Sequence, residues 1–174
     1  MPNEKTYDNF PFWIPALSWT LTLSIDILGA YILFKLSVLL PVFYLLFCMW
    51  VEYKMLKYSC VNCYYCGKTC GLGKGKLANL IFKKGDSQKF IERKVSWKDM
   101  VPDFLVFVLP LAGGTIYLIK DFTLLILVLL VILTILSFGG IALVRGKLVC
   151  KYCRQKELGC PAQQLFGKNK NEIC

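Results

Sequence analysis

Long apolar stretches alternate with polar, basic segments along the chain. Four of these stretches are long enough to be read as membrane-spanning helices, at about residues 15–34, 38–51, 102–119 and 122–144. The last is an almost pure aliphatic run of 23 residues, and a helix of that length crosses a hydrocarbon core of about 30 Å. The pattern therefore predicts an all-α, polytopic membrane protein with four transmembrane helices.

The spans and the segments between them divide the chain into four predicted parts. These are an N-terminal part with the first two spans (1–53), a basic loop (54–101), the second pair of spans (102–144) and a tail (145–174). Of the 21 lysines and arginines, 11 lie in residues 54–98 and 7 in residues 145–170. Because cytoplasmic loops carry an excess of these residues, we expect a multi-pass protein of the inner membrane with both termini cytoplasmic.

Composition supports the membrane prediction and narrows the function. Hydrophobic residues make up 56% of the chain, charged residues 18%, and the formal charge is +10 without any histidine. Loop lysines facing anionic lipid headgroups account for this charge, so the bilayer is the expected partner and nucleic acid is not. Without histidine, serine–histidine and cysteine–histidine catalysis is excluded, and the sequence leaves open whether the protein is an enzyme.

Eight of the nine cysteines fall in the two basic segments. They form a first set, Cys60, Cys63, Cys66 and Cys70, and a second set, Cys150, Cys153, Cys160 and Cys174. Because each set follows a predicted span that ends on the cytoplasmic side, we expect both at one membrane surface, in a cysteine-rich metal-binding module. The surrounding lysines are expected to favour the thiolate form that binds metal. Cys48, inside the second span, is expected to be a core residue.

The first set has the spacing C-x2-C-x2-C-x3-C, which resembles the [4Fe–4S] ligand run of bacterial ferredoxins. In that run a proline follows the fourth cysteine, whereas here Gly71 follows Cys70 and it is Cys160 that precedes Pro161. The resemblance implies iron–sulfur clusters. One would be held by Cys60, Cys63 and Cys66 with a distant cysteine, and a second by Cys70, Cys150, Cys153 and one more.

Zinc is the alternative cofactor. The segment Cys63-Tyr-Tyr-Cys66-Gly-Lys resembles a zinc knuckle. Paired with Cys150 and Cys153, it would give a tetrahedral all-cysteine site that clamps two helix ends together. The metal would then be structural, in a membrane protein that recruits a partner. The four other cysteines of the two sets would form a second site or stay unligated.

A third hypothesis is thiol redox chemistry. Four membrane helices with C-x2-C pairs, such as Cys150–Cys153, resemble the vitamin K epoxide reductase family. That resemblance implies a thiol–quinone oxidoreductase. Those enzymes work towards the oxidising side of the membrane, whereas these thiols are predicted to face the cytoplasm, so this hypothesis ranks third.

One acidic residue lies at membrane depth. Ser18, Thr22 and Asp26 are spaced four apart, so they form one polar stripe on a helix. Asp26 is either a proton-relay or quinone-site residue or an aspartate hydrogen-bonded inside the bundle. The leading hypothesis for the whole chain is an iron–sulfur subunit for electron transfer or redox sensing. Its expected partner is an acidic soluble redox protein or a larger membrane complex.

Overall fold

The protein is helical throughout the part that the computed structural model describes, residues 6–93 and 96–161. The longer helices are α1 (Trp13–Phe34), α2 (Leu40–Tyr58), α3 (Lys74–Ile81), α4 (Ser87–Ile91) and α5 (Trp97–Lys120). Helix α6 (Leu124–Thr134) continues in the wider π geometry over Ile135–Gly140 and Ala142–Val149, and a short α7 (Gln155–Leu158) follows. Within these residues there is no β-strand, only an isolated bridge between Tyr7 and Cys153. The prediction of an all-α chain is confirmed for this part.

Three helices are long and apolar enough to cross a membrane: α1, α5 and the continuous helix Leu124–Tyr152. Helix α2, which contains the second predicted span, is not among them. Its second half carries Glu52, Lys54 and Lys57, which makes it more polar than the other three. The prediction of a membrane protein therefore holds with three candidate spans rather than four.

The chain forms two compact units. The first, the helical unit, consists of Thr20–Glu52 and Trp97–Ile141. The second, the cysteine unit, takes its described residues from 1–19, 53–96 and 142–174. Both cysteine sets thus belong to one unit, together with the start of α1.

The helical unit packs around an aliphatic core. Its buried members come from α1 and α6: Ile25, Ile32, Ile126, Leu130 and Leu133. Helix α5 packs closely against α1 and α6 because it has a glycine at the contact. A Cβ on Gly114 would lie 2.6 Å from Leu130 Cδ2 and 2.9 Å from Ile32 Cγ2. A larger residue at that position would force the helices apart, as overpacked cores do.

Two short helices lie in the loop between α2 and α5. Helix α3 is amphipathic, since it buries Gly75 and Ala78 and exposes Leu80. Asp86 caps α4, since its carboxylate accepts from the Gln88 N–H at 2.9 Å. The carboxylate thereby satisfies an N–H of the first turn that has no partner within the helix.

Candidate metal centre

Each cysteine set begins with the same backbone turn at the end of a long helix. In the first cysteine turn (Cys60–Cys63) the second cysteine's N–H donates to the first cysteine's carbonyl at 3.3 Å, and the second cysteine turn (Cys150–Cys153) has the same bond at 3.3 Å. Cys63 and Cys153 are both extended, at φ −77° and −80°. The two C-x2-C sequences therefore form matching local structures.

The N-terminal segment Tyr7–Phe10 links the segments that carry the two cysteine sets through its backbone. The Tyr7 N–H donates to the Tyr152 carbonyl at 3.0 Å, and the Phe10 N–H donates to the Thr69 carbonyl at 2.9 Å. The Asn9 side chain accepts from the Thr69 N–H at 3.1 Å. Because the segment pairs with both Thr69 and Tyr152, it holds these two residues close together, although they are about 80 positions apart in the sequence.

A buried amide makes a second link. Gln155 is 2% exposed, and its Oε1 accepts from the Tyr64 N–H at 2.8 Å and lies 3.6 Å from the Cys63 Sγ. Its Nε2 donates to the Gly159 carbonyl at 3.0 Å. The Gln155 side chain thus forms hydrogen bonds with the backbone of the first cysteine set and with the backbone of its own loop.

Between these segments lies a cavity of about 100 Å³. Four cysteines line it: Cys60, Cys63, Cys70 and Cys153. The rest of the wall is glycine and apolar or aromatic: Phe10, Tyr65, Gly71, Leu72, Gly75 and Val149. This space, which we call the cysteine cavity, therefore combines cysteines from both sets with a wall that is otherwise glycine, apolar or aromatic.

The cavity is kept tight by glycines. A Cβ on Gly71 would lie 2.6 Å from Val149 Cγ1, and one on Gly75 would overlap the Tyr65 carbonyl oxygen. Gly73 adopts φ +73° at the start of α3, a conformation that favours glycine. The run Gly-Leu-Gly-Lys-Gly is thus explained by close packing around the cysteines.

Backbone N–H groups point at three of the four cavity sulfurs. Cys70 Sγ accepts from the N–H groups of Lys74 and Gly75, each at 3.2 Å. Cys63 accepts a hydrogen bond from the backbone of Tyr65. Cys153 accepts hydrogen bonds from the backbone of Gln155 and of Lys156. Donors directed at sulfur stabilise thiolate ligands and tune iron–sulfur clusters, so these cysteines are arranged as ligands are.

The other predicted ligands lie elsewhere. Cys66 and Cys150 are not part of the cavity wall, although Cys66 is buried at 4% exposure. Cys160 is close enough to act electrostatically on Cys63 and Cys153, whereas Cys174 lies outside the described residues. The cavity set thus differs from the ligand sets predicted from spacing alone, since it takes Cys60, Cys63 and Cys70 from the first cysteine run and skips Cys66.

The spacing of the sulfurs distinguishes a single ion from a larger group. Among residues 6–93 and 96–161, no three cysteine, aspartate or glutamate side chains converge closely enough to bind one metal ion. Tetrahedral zinc needs four sulfurs about 2.3 Å from a common point. The four cavity thiols instead surround a space larger than the share of a water molecule, about 30 Å³. The arrangement suits a group of several atoms better than a lone ion.

Burial is the largest influence on the pKa of the buried cysteine thiols. It raises the pKa of Cys63 to about 12, and the neighbouring Cys153, Cys70 and Cys160 add to that increase. Burial also raises the pKa of Cys153 and of Cys66. The expected effect of nearby lysines is present at Cys66, where Lys84 lowers the thiol pKa, but burial outweighs it. The net pKa of all three thiols is raised, because removing a thiolate from water costs more than the surrounding cations return.

Cations lie on the outer side of the same region, around Tyr64. Lys68 Nζ donates to the Tyr64 hydroxyl at 2.8 Å and sits 3.9 Å from its ring centroid. Asp8 accepts from Tyr64 at 2.7 Å and forms an ion pair with Arg154. The hydrogen bonds from Tyr64 and Arg154 hold the pKa of Asp8 below its usual value. We call these residues the Tyr64 face.

Sequence reasoning identified the cysteines but not the residues that assemble them. The roles of Gln155, Phe10 and Tyr65 depend on contacts between distant segments, and no spacing pattern signals them. The density of glycines beside Cys70 is the one sequence signal of this close packing. Asp26 lies in α1, within the helical unit, and does not belong to the cysteine cavity.

Replacing Gln155 by leucine is expected to destabilise the cysteine unit by about 1–3 kcal/mol, because the partly buried Tyr64 N–H would lose its acceptor. Chemical denaturation followed by tyrosine fluorescence would measure the change. The exposed Gln88 offers a matched control, since Gln88→Leu should change stability by less than about 0.5 kcal/mol. Equal effects of the two substitutions would contradict the role of Gln155.

In the metal-free protein, Cys63 is expected to react with an aromatic disulfide on the order of 100-fold more slowly at neutral pH than an ordinary cysteine of pKa about 8.5. The reason is that the thiolate is the nucleophile and Cys63 remains protonated below its pKa of about 12. Its rate should therefore keep rising as the pH increases beyond the range in which the urea-unfolded chain levels off. Mass spectrometry of the modified peptides would measure both rates, and a plateau near pH 9 in the folded protein would contradict the shift.

The chain was compared with protein families, with curated proteins and with solved structures. No family model, no curated protein and no solved structure matches it. The proposal for its function therefore rests on the chemistry of the cysteine cavity.

Proposed function

We propose that this chain is an integral membrane iron–sulfur protein that transfers electrons or senses redox state at the cytoplasmic membrane surface. The observation that carries the proposal is the cysteine cavity, in which Cys60, Cys63, Cys70 and Cys153 line one space whose other walls are glycine, apolar or aromatic. Four thiolates are the usual ligand set of a [4Fe–4S] cluster. When bound, such a cluster supplies one-electron transfer.

Three features of the cavity support a cluster. Its volume of about 100 Å³ exceeds the needs of one ion. Its wall includes the buried apolar side chains of Phe10 and Val149, and apolar surroundings help to set the redox potential of a metal site. The N–H groups directed at Cys63, Cys70 and Cys153 would stabilise the ligand thiolates.

The residues around the cavity have separate tasks in this proposal. Gln155 and the segment Tyr7–Phe10 position the two sets of thiols against each other. Tyr65 is buried in the wall, and its hydroxyl accepts from the Arg154 N–H at 2.9 Å, which fixes the ring. The ligand thiols must lose their protons when they bind the cluster. Because burial raises their pKa, the positive charge of the bound metal would have to stabilise the thiolates.

The Tyr64 face suits an acidic redox partner. Lys68 and Arg154 lie over the Tyr64 ring, and Lys151 lies exposed beside Tyr152. A positive surface near a cluster raises the encounter rate with a negatively charged protein in a salt-dependent way. The proposed partner is an acidic soluble redox protein or an acidic subunit of a larger membrane complex.

Structural zinc is the second candidate, and one observation favours it. The first and second cysteine turns have matching backbones, as pairs of cysteine turns in all-cysteine zinc sites do. Zinc would require the sulfurs to move together until four of them lie about 2.3 Å from one point. The protein would then be a non-redox membrane scaffold, and its cavity would close around the ion.

The proposal includes four membrane spans, with α2 as the second, in the inner membrane and with both termini cytoplasmic. Lysines and arginines concentrated in residues 54–98 and 145–170 favour this orientation. The polar residues of α2 lie near its end, where Glu52 and Lys54 reach headgroup depth. Exposed Leu80 and Ile81 on α3 would contact the anionic lipid surface beside the exposed Lys83.

Protein purified without oxygen is expected to contain about four irons and four acid-labile sulfides. Changing a cavity ligand, as in Cys63→Ser or Cys153→Ser, should remove most of both, because a lost thiolate opens the site. Cys66→Ser is the matched control, because it removes a buried thiol from the same run of cysteines but not from the cavity wall. Iron, sulfide and zinc analysis with an absorption spectrum would measure the outcome.

The result also separates the candidates. If the analysis finds zinc and no acid-labile sulfide, the electron-transfer proposal is replaced by that of a zinc-stabilised, non-redox membrane scaffold. Full iron retention in Cys153→Ser would contradict a site shared by the two cysteine sets.

Reporter domains fused separately to the N-terminus and to the C-terminus are expected to lie on the same, cytoplasmic side of the membrane. The physical reason is that an even number of spans returns the chain to the side on which it began. Protease protection in sealed vesicles would measure both positions. If α2 does not cross, three spans place the termini on opposite sides, and that outcome would overturn the four-span proposal.

A further inference from the structure

A carboxylate of the chain itself occupies the Tyr64 face. Asp8 accepts a hydrogen bond from the Tyr64 hydroxyl at 2.7 Å and forms an ion pair with Arg154. Both contacts end on the same oxygen, Asp8 Oδ1. Asp8 is therefore bound through one oxygen, whereas a guanidinium group binds a carboxylate most strongly through two parallel hydrogen bonds.

Two cations contact the ring beneath this carboxylate. Lys68 Nζ lies 3.9 Å from the Tyr64 ring centroid, and the central carbon of the Arg154 guanidinium lies 5.5 Å from it. The Tyr64 hydroxyl also accepts from Lys68 Nζ at 2.8 Å while it donates to Asp8. The face thus offers a hydroxyl donor and two positive charges within one small area, which is a suitable arrangement for a carboxylate.

The surrounding sequence is strongly basic. Residues 54–98 and 145–170 together contain 18 lysines and arginines but three acidic residues: Asp86, Glu92 and Glu157. Glu157 lies near Arg154 in the sequence, and Lys156 beside it opposes its charge. A partner with an acidic surface is therefore attracted to this part of the cysteine unit, and like-charged partners are repelled.

The contact that Asp8 makes is weak enough to be exchanged. The side chains of Asp8 and Arg154 are 60% and 43% exposed. An ion pair at this exposure contributes little, because water and salt screen the two charges. A partner that brings several carboxylates, or one bound through both of its oxygens, therefore competes well with Asp8 for the same donors.

Asp8 also belongs to the segment that holds the two cysteine sets together. The backbone of Tyr7, before it, and of Phe10, after it, forms the hydrogen bonds to those sets. Phe10 is 3% exposed and lines the cysteine cavity. Loss of the Asp8 contact would thus remove one side-chain anchor from a segment that forms part of the cavity wall.

We infer that the Tyr64 face is the docking site for a carboxylate of an acidic partner protein, and that Asp8 is the internal carboxylate that occupies this site until the partner binds. The inference rests on the proposed function, because it gives the acidic redox partner its point of contact. A protein carboxylate is favoured over a lipid phosphate, since the group bound at the face is itself a carboxylate. Docking replaces Asp8 and leaves the segment Tyr7–Phe10 with one contact fewer.

A fluorescently labelled oligoglutamate peptide, added to the full chain in nonionic detergent, tests the docking site by fluorescence anisotropy. Asp8→Asn should bind the peptide about 2- to 6-fold more tightly than the wild type, because it removes an exposed ion pair that competes. Lys68→Met should weaken binding by about 2- to 5-fold.

Matched controls separate the face from overall charge. Glu92→Gln and Lys89→Met each remove one charge from an exposed residue of the same unit, outside the Tyr64 face. Each should change the affinity by less than about 1.5-fold at physiological salt, where charges more than about 8 Å away are screened.

Hydrogen exchange followed by mass spectrometry reports the replacement of Asp8. In the wild type, the amides of Tyr7–Phe10 should exchange faster when the peptide is bound. In Asp8→Asn they should exchange faster already without peptide, and the peptide should add no further increase. Unchanged exchange within α5 would show that the variants are folded.

The inference is overturned if Asp8→Asn binds the peptide no better than Glu92→Gln, if Lys68→Met binds as well as the wild type, or if the peptide leaves the exchange of Tyr7–Phe10 unchanged. It is also overturned if Asp8→Asn strengthens binding to phosphatidylglycerol vesicles as much as binding to the peptide, since the face would then be a lipid site. Peptide binding is measured whatever metal the protein holds, so its failure is distinct from a negative iron and sulfide analysis.

Discussion

The cysteine unit depends on hydrogen bonds between segments that are far apart in sequence. The N-terminal segment pairs its backbone with Tyr152 on one side and with Thr69 on the other, and Gln155 returns from the tail to the Tyr64 N–H. Each bond satisfies a polar group that burial would otherwise penalise. Without them, the two cysteine turns would be separate ends of separate helices and no common cavity would exist.

Burial of the thiols is the second property on which the proposed chemistry depends. It raises the pKa of Cys63 and Cys153, so their neutral thiols are the stable form without a cofactor. Backbone donors at the sulfurs oppose this shift but do not cancel it. Metal binding would therefore be coupled to proton release and to the stability of the unit.

The helical unit contains a backbone carbonyl that a proline leaves without its helical donor, and a side chain from another helix supplies the missing hydrogen bond. Pro110 interrupts α5 among apolar helices, where a carbonyl without a donor is expensive. The Tyr44 hydroxyl of α2 donates at 3.0 Å to the carbonyl of Val106, which Pro110 leaves without its helical donor. A side chain of one helix thus satisfies a backbone group that a proline exposes in another.

The sequence by itself determined the helices and the class of protein. Apolar stretches of sufficient length predicted α1, α5 and α6, because hydrophobic length and helical rise are properties of each segment alone. The second span was less well determined, since charge at the end of α2 competes with its apolar first half. Cysteine spacing indicated ligand chemistry, because neighbouring positions on a short turn share one region of space.

Only the tertiary structure decided which cysteines share a cavity. Spacing grouped Cys66 with Cys60 and Cys63, whereas the cavity takes Cys70 and Cys153 instead. The difference arises because the start of α3 packs against Tyr65 through Gly75, while its first N–H groups donate to the Cys70 sulfur, and no local pattern encodes these contacts. Likewise, Tyr44 and Val106 lie in different predicted spans, and only the packing of the helices brings the Tyr44 hydroxyl to the Val106 carbonyl. Local sequence fixes which groups can react, and long-range packing fixes which of them meet.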